Sequence, residues 1–166
     1  MFRTRSAVAL TAVLVAAAGC GAAQDQREPV GEHVIAYAEN VHGTEWVGEV
    51  DLPSALVMQS AADIEDWVET LPDPEPTLFE PLFDVDLDEH FLVLGGYPRC
   101  TETSSIVLVG TGDDASLVFE VTAPESDTMC AWSPYTLDAW AVPRSATDGE
   151  VPGSVPISHA GDTGTA

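Results

Sequence analysis

Three cysteines, four histidines and 28 acidic residues are the side chains of this 166-residue chain from which chemistry could be built. Asp84-Val85-Asp86-Leu87-Asp88-Glu89-His90 has the alternating carboxylates of a calcium loop. An EF-hand needs glycine at the sixth loop position and glutamate at the twelfth, and here those are Glu89 and Gly95, so the motif fails. Alternation with Val85 and Leu87 instead predicts a strand edge with its carboxylates turned to water. His33, His42, His90 and His159 show neither His-x₃-His nor His-Glu-x-x-His spacing, so no zinc site is legible. Gly-x-Ser-x-Gly, Ser-x-x-Lys and phosphate-cradling glycine loops are absent, and without lysine there is no Schiff-base chemistry. Carboxylate pairs are too numerous in so acidic a chain to single one out for acid–base work. The expectation is a protein that is not an enzyme, with no catalytic residue, metal ligand or cofactor.

Cysteine is more informative. Cys20 ends a three-part N-terminal segment: Arg3 and Arg5, then an apolar run from Ala7 to Ala18, then small residues. That is the plan of a secretory signal, and the run is shorter than the roughly 20 residues a spanning helix needs. Ala17-Ala18-Gly19-Cys20 resembles the lipobox of bacterial lipoproteins, with Ala17 where leucine is more usual. The resemblance implies that residues 1–19 are removed and that Cys20 carries a diacylglyceryl group. It places the chain on the outer face of the cytoplasmic membrane, held by its lipid. Two or more acyl chains anchor stably where a single one does not. Cys100 and Cys130 then remain, and in an oxidising compartment they have one possible pairing. A thiol used for metal binding or nucleophilic attack is the competing reading. It lacks a Cys-x-x-Cys motif or a histidine close in sequence.

A bridge between Cys100 and Cys130 would gather Arg99, Glu102, Trp132 and Tyr135 at one end of a sheet. Two readings stand for these residues. Trp132 and Trp140 cover the disulfide while Arg99 pairs with a local acid, or Arg99, Glu102, Trp132 and Tyr135 form a binding patch of the kind found at protein-binding hot spots.

Charge excludes several partners. After removal of residues 1–19, three arginines stand against all 28 acids, a formal charge of −25. No cluster of cations exists to displace counterions from nucleic acid, or to dock electrostatically on an anionic bilayer. The hydrophobic fraction of 45% is nevertheless too high for a wholly disordered acidic chain.

The elements that would position these residues follow from periodicity. Residues 20–30 are small and polar and read as a lipidated tether. Val34–Tyr37, the alternating segment Trp46–Leu52, and Leu56–Met58 read as strands. Ser60 and Asp63 predict the start of a helix over residues 60–71, with Ile64, Trp67, Val68 and Leu71 on one face and Pro72 ending it. Leu78, Phe79, Leu82 and Phe83, interrupted by Pro81, predict a loop or short helical turn on the core. Phe91–Leu94 is a continuous apolar run and predicts a strand covered on both faces, with Gly95-Gly96 either ending it or allowing close backbone approach. Ser105–Val109 and Leu117–Val121 flank a turn cluster and predict a hairpin. Leu137–Val142 predicts a last strand. The domain is expected over residues 31–144, and residues 145–166 as a disordered acidic tail. The expected class is α+β, an antiparallel sheet or flattened β-sandwich with one packed helix.

Over about residues 54–143 the order of elements resembles the C-terminal domain of PrcB-like proteins, exported components associated with a surface protease complex. The similar features are a strand leading into a Ser-capped helix (Leu56 to Leu71), a Pro-rich loop, an acidic segment before a hydrophobic strand (Asp88 to Leu94), and strand hairpins. The family's Thr-Gly-Gly-Tyr turn has no counterpart here; Arg99-Cys100-Thr101-Glu102-Thr103 lies near that place. The whole chain also resembles small lipoproteins of high-GC Gram-positive bacteria. The expected function is therefore a non-catalytic protein-interaction domain of the cell envelope, its partners the membrane through its lipid and another envelope protein. The alternatives are a small-molecule or cation-binding envelope protein and a small hydrolase.

Overall fold

The computed structural model describes residues 27–39, 41–124 and 130–160; the expected signal segment and Cys20 lie outside the described residues. Among the described residues, eight strands form two four-stranded sheets. They are β1 (Arg27–Val30), β2 (Glu32–Ala38), β3 (Leu56–Met58), β4 (His90–Pro98), β5 (Thr103–Val109), β6 (Ser116–Thr122), β7 (Tyr135–Pro143) and β8 (Ile157–His159). The outer sheet has the order β1-β5-β6-β8 and the central sheet the order β2-β7-β4-β3. All pairings are antiparallel except β6 with β8. One face of the central sheet packs on the outer sheet. The other is covered by α1 (Ala61–Glu69), α2 (Glu80–Phe83) and two 3-10 turns, Glu45–Glu49 and Pro76–Phe79. This is the expected α+β sandwich with a packed helix.

The run Phe91–Leu94 explains why the central sheet is central. All four side chains are fully buried, Phe91 and Val93 toward the outer sheet, Leu92 and Leu94 toward the helices. A strand apolar on both faces is stable only when both are covered. Gly95 and Gly96 continue β4 rather than ending it. A Cβ at Gly95 would strike the Phe119 ring, and one at Gly96 would strike Tyr135 and Leu137, so both glycines permit close approach.

The helix begins as its sequence demands. Ser60 Oγ accepts a hydrogen bond from the Asp63 amide at 3.3 Å, and the Asp63 carboxylate accepts from the Ser60 and Gln59 amides at 2.9 and 2.8 Å. Those amides hold the Asp63 carboxyl below its usual range, the Gln59 amide foremost. Ile64 and Trp67 are buried beneath it.

Four expectations are corrected. Trp46–Leu52 is not a strand: Glu45–Glu49 is a 3-10 turn that buries the adjacent residues Trp46 and Val47 together, which an extended strand would send to opposite faces. Asp84–Glu89 is a turn, not a strand edge. The Asp86 carbonyl accepts from the His90 amide and its carboxylate from the Asp88 amide, closing the chain on itself. Its carboxylates still face water while Val85 and Leu87 pack inward. Of the segment expected as a tether over residues 20–30, Arg27–Val30 is a strand paired with β5, and residues 20–26 lie outside the described residues. Of the disordered tail expected over residues 145–166, residues 145–160 are built into the fold, and residues 161–166 lie outside the described residues. Val155 is fully buried and bridges Ala55, and β8 extends the outer sheet, so Leu137–Val142 belongs to the strand between β2 and β4 rather than the last one.

The strand register defines two ends. The β5–β6 turn, the start of β1 (Arg27 opposite Val109) and the end of β7 lie at one, where Ala146–Pro152 closes over Leu108 and Ser116. The end of β4, the starts of β5 and β7 and the end of β2 lie at the other.

Candidate functional site

Cys100 and Cys130 are joined by a disulfide, with Cα atoms 6.0 Å apart, between the end of β4 and the start of β7. The four residues expected around it do fall at this end. Arg99 follows β4, and its amide donates to the Pro134 carbonyl at 2.9 Å, tying the two approaches to the disulfide together. Glu102 folds back on its own loop and accepts from the Cys100 and Thr101 amides at 2.5 and 3.0 Å. Hydrogen bonds from the Cys100, Glu102 and Thr101 amides hold its carboxyl below the usual range, with the nearby charge of His159 adding to them. Glu102 is thus part of the scaffold and not a free contact.

Tyr135 opens β7 opposite Pro98, and its ring lies over Gly96 on the helix side of the sheet. Burial pushes its phenol pKa up, and the Asp51 charge pushes the same way. The Tyr135 amide donates to the Glu39 carboxylate at 2.9 Å, and the Glu39 amide donates back to the Tyr135 carbonyl at 3.0 Å. This pair draws the end of β2 and the following loop to the same place. That loop carries Val41, which is 54% exposed, and beside the disulfide Trp132 is 57% exposed. Trp132 therefore does not serve as a covered packing residue. Trp140 turns into the space between the sheets, where its indole N–H donates to Ser104 at 3.0 Å.

A second cluster was not anticipated. Asp138 sits mid-strand in β7 at 3% exposure, facing the outer sheet. Its Oδ2 accepts from the Tyr97 hydroxyl at 2.7 Å and the Ser104 hydroxyl at 2.5 Å. His33 Nε2 lies 3.7 Å from Oδ1, and the His33 ring meets Trp140 edge-on at 5.2 Å. Burial, then the bond to Asp138, raises the Tyr97 phenol pKa. Serine, histidine and aspartate meet here without the connectivity of a nucleophilic triad, since the Ser104 hydroxyl bonds the carboxylate directly and not the imidazole. The cluster links β2, β4, β5 and β7, and so pins the two sheets to each other. Asp138 Oδ1 and the hydroxyl of buried Thr136 make no hydrogen bond within the described residues. The one sequence signal for this cluster was an aspartate inside the apolar run Leu137–Val142.

Arg144 is committed elsewhere. Its guanidinium donates to the Leu87 carbonyl at 3.0 Å and the Gln59 carbonyl at 3.2 Å, fastening the acidic turn to the start of α1. Among the described residues no three histidine, cysteine, aspartate or glutamate side chains gather as metal ligands, and no helix is long and apolar enough to cross a membrane. No family model, curated protein or solved structure matches this chain.

Proposed function

We propose that this chain is an exported domain, anchored by lipid on Cys20 to the outer face of the cytoplasmic membrane, that binds another envelope protein without catalysing a reaction. The observation that carries this reading is that Trp132 and Val41, two large apolar side chains more than half exposed, lie at the same end of the domain, the one braced by the disulfide. An exposed tryptophan on a cross-linked loop loses little freedom on binding and buries a large area, which is how hot-spot residues act. Arg99, also exposed, lies at the same end, its amide bonded to the Pro134 carbonyl two residues after Trp132. The formal charge of −25 favours a partner whose contact surface has an apolar pocket with a basic rim.

A photo-crosslinking residue placed at 132 or 41 in intact cells is expected to capture one and the same protein. The same residue at Thr111, at the opposite end, is expected to miss it, and Trp132→Ala is expected to abolish capture from position 41. Equal capture from position 111 would sink the reading. For the anchor, a fatty-acid probe should label the wild-type chain and not Cys20→Ala, with release of the variant from the membrane.

A further inference from the structure

We infer that the disulfide end, with Trp132 and Val41, is the end of the domain farthest from the bilayer, so that its protein partner approaches from the side away from the membrane. This rests on the lipid-anchor reading above. It goes beyond it by using where the tether meets the fold.

The chain enters the fold at Arg27, seven residues after Cys20, and at a defined place: Arg27 lies opposite Val109, the last residue of β5. The tether is therefore delivered to the end formed by the β5–β6 turn. From there β5 runs back to Thr103, which is opposite Thr122 and three residues from Cys100. Strand β2 runs the same way, ending at Ala38 opposite Thr136, one residue from Tyr135. Gly31, at φ +89°, lets the chain leave β1 and continue into β2 in the other sheet, so both sheets are oriented by one entry point.

Lengths decide the matter. The seven residues of β5 span about 20 Å. Seven residues reach at most about 25 Å, and only when fully stretched. Bringing the disulfide end to the lipid surface would need nearly all of that reach, with the seven residues drawn out along the flank of the domain. Charge does not favour that inversion, because so acidic a domain gains nothing from lying against anionic headgroups.

The test uses the lipidated full chain in vesicles of phosphatidylglycerol and phosphatidylethanolamine that carry a headgroup acceptor dye. A donor fluorophore is introduced by a non-canonical residue at one of four exposed positions: Thr111 or Glu150 at the tether end, Val41 or Ser133 at the disulfide end. Energy transfer is expected to be several-fold stronger from 111 and 150 than from 41 and 133. Transfer that is equal from all four, or stronger from 41 and 133, overturns the inference and leaves the anchor reading intact. Wild-type chain that does not sediment with the vesicles, as Cys20→Ala should not, overturns the anchor reading and this inference with it.

Discussion

The two faces of the central sheet are built from different chemistry. Under the helices Tyr37, Trp46, Trp67 and Phe79 form a dry cluster, their ring centroids 5.6 to 6.0 Å apart. Toward the outer sheet Phe91, Val93 and Phe119 share the space with Asp138, Tyr97, Ser104 and Trp140. Aromatic packing is tolerant of small rotations and holds a helix and two turns mainly by area, with single hydrogen bonds from the Tyr37 hydroxyl to the Leu78 carbonyl and from the Trp46 indole to the Gly43 carbonyl. The polar face holds by directed bonds, and directed bonds set how one sheet sits on the other. The difference teaches where rigidity is needed. The disulfide end is made of strand ends from both sheets, so its shape depends on their alignment.

The largest expected effect is on the dry face. Phe79→Ala should lower stability by about 3–5 kcal/mol in denaturant titration, since its three aromatic neighbours, Tyr37, Trp46 and Trp67, cannot all collapse into the space. A loss below about 1 kcal/mol would show that this face repacks freely and that the contrast is overstated. On the polar face Asp138→Ala should cost about 2–4 kcal/mol by stranding the Tyr97 and Ser104 hydroxyls. Asp138→Asn, which keeps an acceptor oxygen, should recover most of that loss. If alanine and asparagine behave alike, the hydrogen bonds to Asp138 are not what joins the sheets.

Adjacent glycines sharpen the contrast further. Gly95→Ala drives a methyl into the fully buried Phe119 ring, an overpacking expected to cost about 1–3 kcal/mol. Gly96→Ala meets the partly buried Tyr135 ring, which can swing toward solvent, and only the tip of the buried Leu137 side chain, so its melting temperature should fall less. The reverse order would place the tighter packing under the helices. The smallest effect concerns acid. The Glu102 carboxyl is held below its ordinary 4.5 by loop amides, so its contribution is present above that value and lost as pH falls through the lower folded-state value. Glu102→Gln should therefore flatten the fall in stability on acidification below pH 4.5, and an unchanged acid limb in the variant would remove Glu102 from the loop's support.

Local patterns carried the regular elements into view. Ser60 with Asp63 marks a helix start whatever surrounds it, because the cap bonds join neighbours in sequence. The hairpin around Gly110, at φ +87°, is local in the same sense. Where the reading failed, the deciding contact was distant. Arg27–Val30 holds one apolar residue and becomes a strand only because β5 offers an edge. Val155 and Ile157 sit in a Ser-, Gly- and Pro-rich segment, and their spacing of two was a signal too short to outweigh composition. Val47 already broke the alternation of the supposed strand at Trp46, and the helical turn is what buries both.

Residue types and their order alone determined that this chain is acidic, that it opens with a segment resembling a lipoprotein signal, and that Cys100 and Cys130 are left to pair if Cys20 carries lipid. They also set most strands and the helix, because capping, turn formation and alternation act over a few residues. Only the tertiary structure decided that Asp138 is buried among hydroxyls, that Trp132 and Val41 share one end, and that Arg27 begins the first strand at the other. Each of those facts depends on which strand lies beside which, and strand pairing is settled by the burial of whole faces rather than by any short stretch of chain.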